Sequence, residues 1–233
     1  MLYIQSLAKS FGGIRALKGV SLKIERGEMV GIIGPNGSGK TTLINLITGI
    51  YKPDRGKIYF NNKDITGLPP HIICKMGIMR TYQIPQPFGS MSVYDNVLIA
   101  SEYCGDGDEN YVKEVLKELN LWNKAFVLAE SLSLVEKRIL EFARAIATKP
   151  KLLLIDEVLA GLRESEISLI SKIINDLNRN EVTILWVEHR VHELIKIVKR
   201  LIVLNFGEII ADDAPEKVLS DDRVIEAYLG KLS

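Results

Sequence analysis

Eight consecutive residues constrain this chain more than any other stretch of it. Gly34 to Thr41 read GPNGSGKT and fit the pattern GxxxxGK[ST] without a mismatch. Glycines at those places let the backbone curl so that several N–H groups point inward, and the helix that follows adds its positive end to the same field. Such a nest holds the β- and γ-phosphates of a nucleotide. The candidate binding residues are therefore Gly34, Pro35, Asn36, Gly37, Ser38, Gly39, Lys40, Thr41 and Thr42. Lys40 supplies a mobile positive charge, and the Thr41 hydroxyl is suited to ligate Mg²⁺. The flanks agree: apolar Met29 to Ile33 reads as a strand before the loop, and Leu43 to Ile50 as a helical run after it.

A second signal lies far along the chain. KLLLIDE places Asp156 and Glu157 at the end of a short apolar strand. In an open parallel sheet, sites lie outside that carboxyl edge. Asp156 is the candidate to hold Mg²⁺ through water, and Glu157 the candidate to orient and deprotonate an attacking water. Alone, two carboxylates ending a strand mean little; beside a phosphate loop they point to hydrolysis.

The rest of the pattern supplies a frame. Leu2 to Ala8 and Leu17 to Ile24 read as strands with turns at Gly12-Gly13 and Arg26-Gly27, and KIYFNNKDI as a hairpin turning at Asn61-Asn62. Val112, Val115, Leu116 and Leu119 fall on one helical face. From about Lys151 onward, strands and helices alternate: a helix marked by Ile167, Ile170, Ile174 and Leu177, a strand over Val182 to Val187, a helix over Val191 to Val198, and a strand over Leu201 to Leu204. The expected fold is α/β: a P-loop NTPase core with a mostly parallel sheet, N-terminal antiparallel strands and an inserted helical lobe. Residues 1–90 and 147–233 are expected to form the core, and 91–146 the helical lobe.

Lys and Arg number 30 against 29 Asp and Glu, a net charge of +1 that argues against nucleic acid as a partner. No run reaches the ~18 apolar residues of a membrane span, so no direct membrane insertion is expected. Cys74 and Cys104 make no CxxC pair and no disulfide framework; they read as free thiols in a reducing cytosol. His189-x-x-His192 lacks a four-ligand metal set. Asp106-x-Asp108-x-Asn110 lacks the glycine of a calcium loop and reads as a solvated linker.

Together these motifs resemble the ATP-binding subunit of ATP-binding-cassette (ABC) transporters, over essentially the whole chain. The resemblance implies further site residues. Phe11, 29 residues before Lys40, looks like the aromatic that stacks on adenine. Gln83 in RTYQ looks like the glutamine that touches Mg²⁺ and the attacking water. His189 in WVEHR looks like the switch histidine at the γ-phosphate. RTYQ, ATKPKLLLIDE, LAGL, VEH and VIEAYLG are similar to ATPase subunits of branched-chain amino acid importers, whereas SVYDN is similar to lipopolysaccharide-export ATPases. The implied activity is Mg²⁺-dependent ATP hydrolysis. The implied partners are transmembrane permease subunits and a second ATP-binding subunit. The implied location is cytoplasmic, at the inner face of the membrane.

Two departures stand out. The family signature LSGGQ is here Leu132-Ser133-Leu134-Val135-Glu136. Ser133 is retained as a candidate contact to the partner's γ-phosphate, but both glycines are gone, and Leu and Val obstruct close backbone approach. Val158 and Arg163 replace a usual proline and an acidic or amide residue. These changes favour a heterodimer over a homodimer, and raise the alternative of a nucleotide-gated binding subunit with weak hydrolysis. Ile84, Pro85, Pro87 and Phe88 are expected either to meet the permease or to pack internally.

Overall fold

Apolar strands separated by amphipathic helices dictate the architecture. A computed structural model describes residues 1–82, 84–159 and 161–229. In chain order these form β1 (Leu2–Phe11), β2 (Ile14–Ile24), β3 (Met29–Ile33), α1 (Lys40–Ile47), β4 (Arg55–Phe60), β5 (Lys63–Asp64), α2 (Pro70–Lys75) and β6 (Ile78–Arg80). There follow α3 (Val93–Cys104), α4 (Glu109–Glu118), α5 (Leu134–Ala147), β7 (Leu152–Asp156), α6 (Glu164–Arg179), β8 (Thr183–Val187) and α7 (Val191–Leu194). The described chain ends with β9 (Arg200–Asn205), β10 (Glu208–Asp213), α8 (Pro215–Leu219) and α9 (Asp222–Leu229).

Six strands form one sheet in the order β10-β9-β3-β8-β7-β6, and β2-β1-β4-β5 form a second. In the larger sheet every pair from β9 to β6 is parallel; only β10 runs against its neighbour. The smaller sheet is antiparallel throughout. Both faces of the parallel sheet are covered, which is why its strands are continuous apolar runs. Met29, Ile33, Leu153, Ile155, Trp186 and Val203 enter the core that holds α3, α4, α5 and α6. Val30, Ile32, Leu154, Val187, Ile202 and Leu204 enter the core made with α1 and the antiparallel sheet. Full burial of one such side chain contributes roughly 1.5–3 kcal/mol.

Local chemistry fixes the details. Asn61 and Asn62 both take positive φ (48° and 64°), as a two-residue hairpin turn requires. Asp108, expected in a linker, caps α4 by accepting from the Asn110 and Tyr111 N–H groups at 3.0 and 3.2 Å. One expectation is shortened: α7 stops at Leu194 instead of running to Val198. The chain there tightens into turns, with the Ile197 and Val198 N–H groups both donating to the Leu194 carbonyl.

The cysteine expectation is corrected. Cys74, on α2, and Cys104, at the end of α3, form a disulfide with Cα atoms 5.8 Å apart. Sequence spacing gives no hint of it, because the packing of α3 beside α2 brings the two residues together. The bond closes a loop with a sequence separation of 30. Chain-entropy arguments put such a closure at about 3–4 kcal/mol. Cys104→Ser is accordingly expected to lower the urea midpoint of the oxidised protein and to leave that of the reduced protein unchanged.

Candidate active site

The phosphate loop occupies the gap between β3 and α1, pressed against two other strands. A Cβ on Gly34 would collide with the Leu204 carbonyl oxygen of β9 and lie 2.7 Å from Ser38 Oγ. Gly39 caps α1 at φ 109°, where a Cβ would lie 2.6 Å from the Ala16 carbonyl of β2. Only glycine fits either place. α1 has no acidic residue in its first turn, so its unpaired N–H groups face the loop without a competing negative charge.

Lys40 is buried, and its ammonium donates to the Gly34 and Pro35 carbonyls at 2.7 and 3.1 Å. Burial pushes its pKa below the ordinary lysine value, and the nearby Glu157 and Asp156 charges oppose that shift. Ser38 Oγ is buried with no hydrogen-bond partner among the described residues. A cavity of about 390 Å³ opens here, lined by Asn36 to Thr42, Glu157 and His189, with Ile14, Arg15, Ala16, Lys18 and Phe206 on its outer side. An orphaned hydroxyl, a buried ammonium and unpaired helix amides suit a polyphosphate.

The parallel register supplies the acids. Asp156 pairs with Val187 across β7 and β8, and the Glu157 N–H donates to the Val187 carbonyl at 2.9 Å. Glu157 takes φ 50°, an uncommon conformation for a non-glycine residue, found often at functional sites. Its Oε1 lies 2.7 Å from His189 Nε2. Asp156 is buried and pairs through Oδ2 with Arg80 Nη2 at 2.9 Å, while Arg80 Nη1 reaches Asn45 Oδ1 at 2.5 Å. Burial raises the Asp156 pKa, and the Arg80 charge counters it.

Some expected site residues lie elsewhere. Phe11 is 40% exposed, with its ring edge-on to Tyr51 at a centroid distance of 5.1 Å, and it is not part of the cavity lining. Ser133 caps α5 in a capping box with Glu136. Gln83 lies outside the described residues. Two residues that motif reading passed over are structurally prominent. Arg80 is the partner of Asp156. Glu188, named in the sequence only beside the two histidines, is buried and accepts from the Leu159 N–H at 2.9 Å and from the His189 N–H at 3.3 Å. It ties the segment after Glu157 to the histidine strand, and burial raises its pKa.

The family model for the ABC transporter domain matches residues 17–160. The chain belongs to the ATP-binding subunits of ABC transporters. A second family model, the branched-chain amino acid ATP-binding cassette transporter, matches residues 208–231. The chain is 39% identical to the "probable branched-chain amino acid transport ATP-binding protein LivG" of Archaeoglobus fulgidus, over 99% of this chain and 95% of the relative. It is 34% identical to the lipopolysaccharide export system ATP-binding protein LptB of Escherichia coli, over 99% of this chain and 97% of that one. A crystal structure of an ABC transporter cassette in its ADP conformation superposes with a TM-score of 0.89 at 35% identity, covering 99% of both chains. The expected P-loop α/β fold and an ATP-binding, ATP-hydrolysing subunit are thereby established.

The Arg80–Asp156 pair is buried enough to matter for stability. Arg80→Ala leaves a carboxylate without its partner and is expected to destabilise the protein by about 3 kcal/mol near neutral pH. Adding Asp156→Asn should recover a large part of that loss, read as a double-mutant cycle in urea unfolding.

Proposed function

We propose that this subunit hydrolyses ATP with Mg²⁺ in the Lys40–Glu157–His189 cavity and so powers import of branched-chain amino acids through a membrane permease. The single observation that carries the chemistry is the convergence of Lys40, Glu157 and His189, from three separate elements, on one cavity. The cargo rests on the match at residues 208–231 and on the names of relatives such as LivG. The likeness to LptB supports the alternative cargo, lipopolysaccharide for export.

The residues present fit Mg²⁺. The donors are all oxygens, Thr41 hydroxyl and Asp156 carboxylate, with Gln83 as the third expected ligand. Among the described residues no group of three or more His, Cys, Asp or Glu could cage an ion alone. Mg²⁺ commonly sits this way, on one or two carboxylates plus substrate phosphates and waters. When bound it would neutralise charge on the β- and γ-phosphate oxygens. Lys40 then turns from the loop carbonyls to those oxygens. Glu157 accepts the proton of the attacking water at a carboxylate oxygen, and His189 donates from Nε2 to the γ-phosphate, separating from Glu157 to do so. Positioning and charge supply the acceleration.

The second site of the pair differs. Leu134 is 57% exposed where the family has glycine, and the Ser133 hydroxyl donates to Glu136 Oε2 at 2.9 Å. Both features weaken a contact to a partner's nucleotide, and so support an asymmetric heterodimer in which the partner's intact signature completes this chain's site. Ile84 and Phe88 are 71% and 49% exposed, whereas Pro85 and Pro87 are half-buried. The two exposed side chains support docking to the permease from the cytoplasmic side, with the subunit peripheral to the membrane. No described helix is long and apolar enough to cross a membrane.

Glu157→Gln is expected to cut Mg²⁺-dependent phosphate release by ~100-fold or more while ATP binding persists. Phosphate release unaffected by the substitution would remove Glu157 from the reaction. An equimolar mixture with a second ATP-binding subunit should turn over faster per site than the pure chain; equal rates would remove the asymmetry. Reconstitution with permease should yield ATP-dependent uptake of leucine.

A further inference from the structure

Phe206 is the least explained large side chain in the fold. It sits in the turn between β9 and β10, is 72% exposed, and holds φ 42°. For a bulky residue that backbone conformation is a true outlier, and a strained, solvent-facing aromatic gains nothing from folding. The turn is nevertheless fixed in place. The Gly207 N–H donates to the Ser38 carbonyl of the phosphate loop at 2.9 Å, and the Gly207 carbonyl accepts from the Lys18 N–H of β2 at 2.9 Å. A Cβ on Gly207 would come within 2.7 Å of the Ala16 carbonyl, so the turn and β2 are in direct contact. Phe206 is thus tied, through its neighbour, to the loop that holds the phosphates.

Ile14 is the companion. It opens β2, is 74% exposed, and lines the same cavity as Phe206 and Lys40. Phe11, the aromatic that the family resemblance assigns to adenine, is already engaged. Its ring meets Tyr51, and the Lys9 ammonium lies 5.4 Å from its centroid. The cavity therefore has a polar end at the phosphate loop and an apolar end made by Phe206 and Ile14.

We propose that Phe206 and Ile14 form the platform on which the purine base of the bound nucleotide rests, a role that Phe11 does not fill alone. The inference rests on the reading of this cavity as the ATP site. Recognition of this kind uses the face of the base, through stacking and apolar contact, and is independent of the phosphate contacts.

The test measures equilibrium binding to the full chain with two probes, Mg·ATP and Mg·tripolyphosphate, the second carrying the phosphates without the base. Phe206→Ser and Ile14→Ser are each expected to weaken ATP about tenfold, within the range seen when a stacking aromatic is removed. Tripolyphosphate affinity should stay within twofold. Phe206→Tyr keeps the ring and should hold ATP affinity near that of the parent, which separates loss of the platform from loss of folding. ATP binding untouched by Phe206→Ser, or an equal loss for both probes, would overturn the platform alone. A parent chain that binds neither probe would overturn the nucleotide reading itself and the platform with it.

Discussion

The site depends on a contact in which no side chain fits. The phosphate loop lies so close to β9 and β2 that hydrogen is the only substituent tolerated at Gly34 and Gly39. That closeness fixes the loop's curvature, and the curvature aims the first amides of α1 at one point. It also explains the order of the sheet. β3 must have β8 on one side, to bring the acids within reach, and β9 on the other, to back the loop. Both neighbours come from the last third of the chain, so the site forms only when distant segments have paired. Contacts of such sequence separation are slow to form, and the nucleotide site should be among the later features to fold.

Much of this was legible in the sequence, for a physical reason. The phosphate loop, the strand ending in Asp156 and Glu157, and His189 each carry their chemistry in a short local pattern. The alternation of strands and helices after Lys151 is equally local, as is the Asn61-Asn62 turn. What stayed hidden was long-range. Arg80 meets Asp156 only because β6 pairs with β7. Glu188 meets Leu159 only because β7 pairs with β8. The Cys74–Cys104 bond requires α2 to lie beside α3. α7 fell short because an apolar period of 3.6 also fits a run of turns whose apolar side chains face the same core.

The α5 terminus illustrates a conflict between local and intermolecular demands. Ser133 and Glu136 satisfy each other's backbone donors, an arrangement that stabilises the start of a helix. The same serine hydroxyl is therefore engaged within its own chain. A helix start with glycines at Leu134 and Val135 would be less stable alone and more open to a phosphate from outside. This chain has the more stable start, and its own catalytic acids are intact, which separates the quality of the cis site from that of the trans contact.

The Cys74–Cys104 bond has a topological consequence. Between its two ends run β6, the segment 81–90 with exposed Ile84 and Phe88, and most of α3. The bond turns that whole stretch into a covalent ring. A protease that nicked the chain within 81–90 would leave one molecule under oxidising conditions and two fragments under reducing ones. The surface offered to a membrane partner is thus carried on a closed hoop, whose ends cannot drift apart even when its backbone is broken.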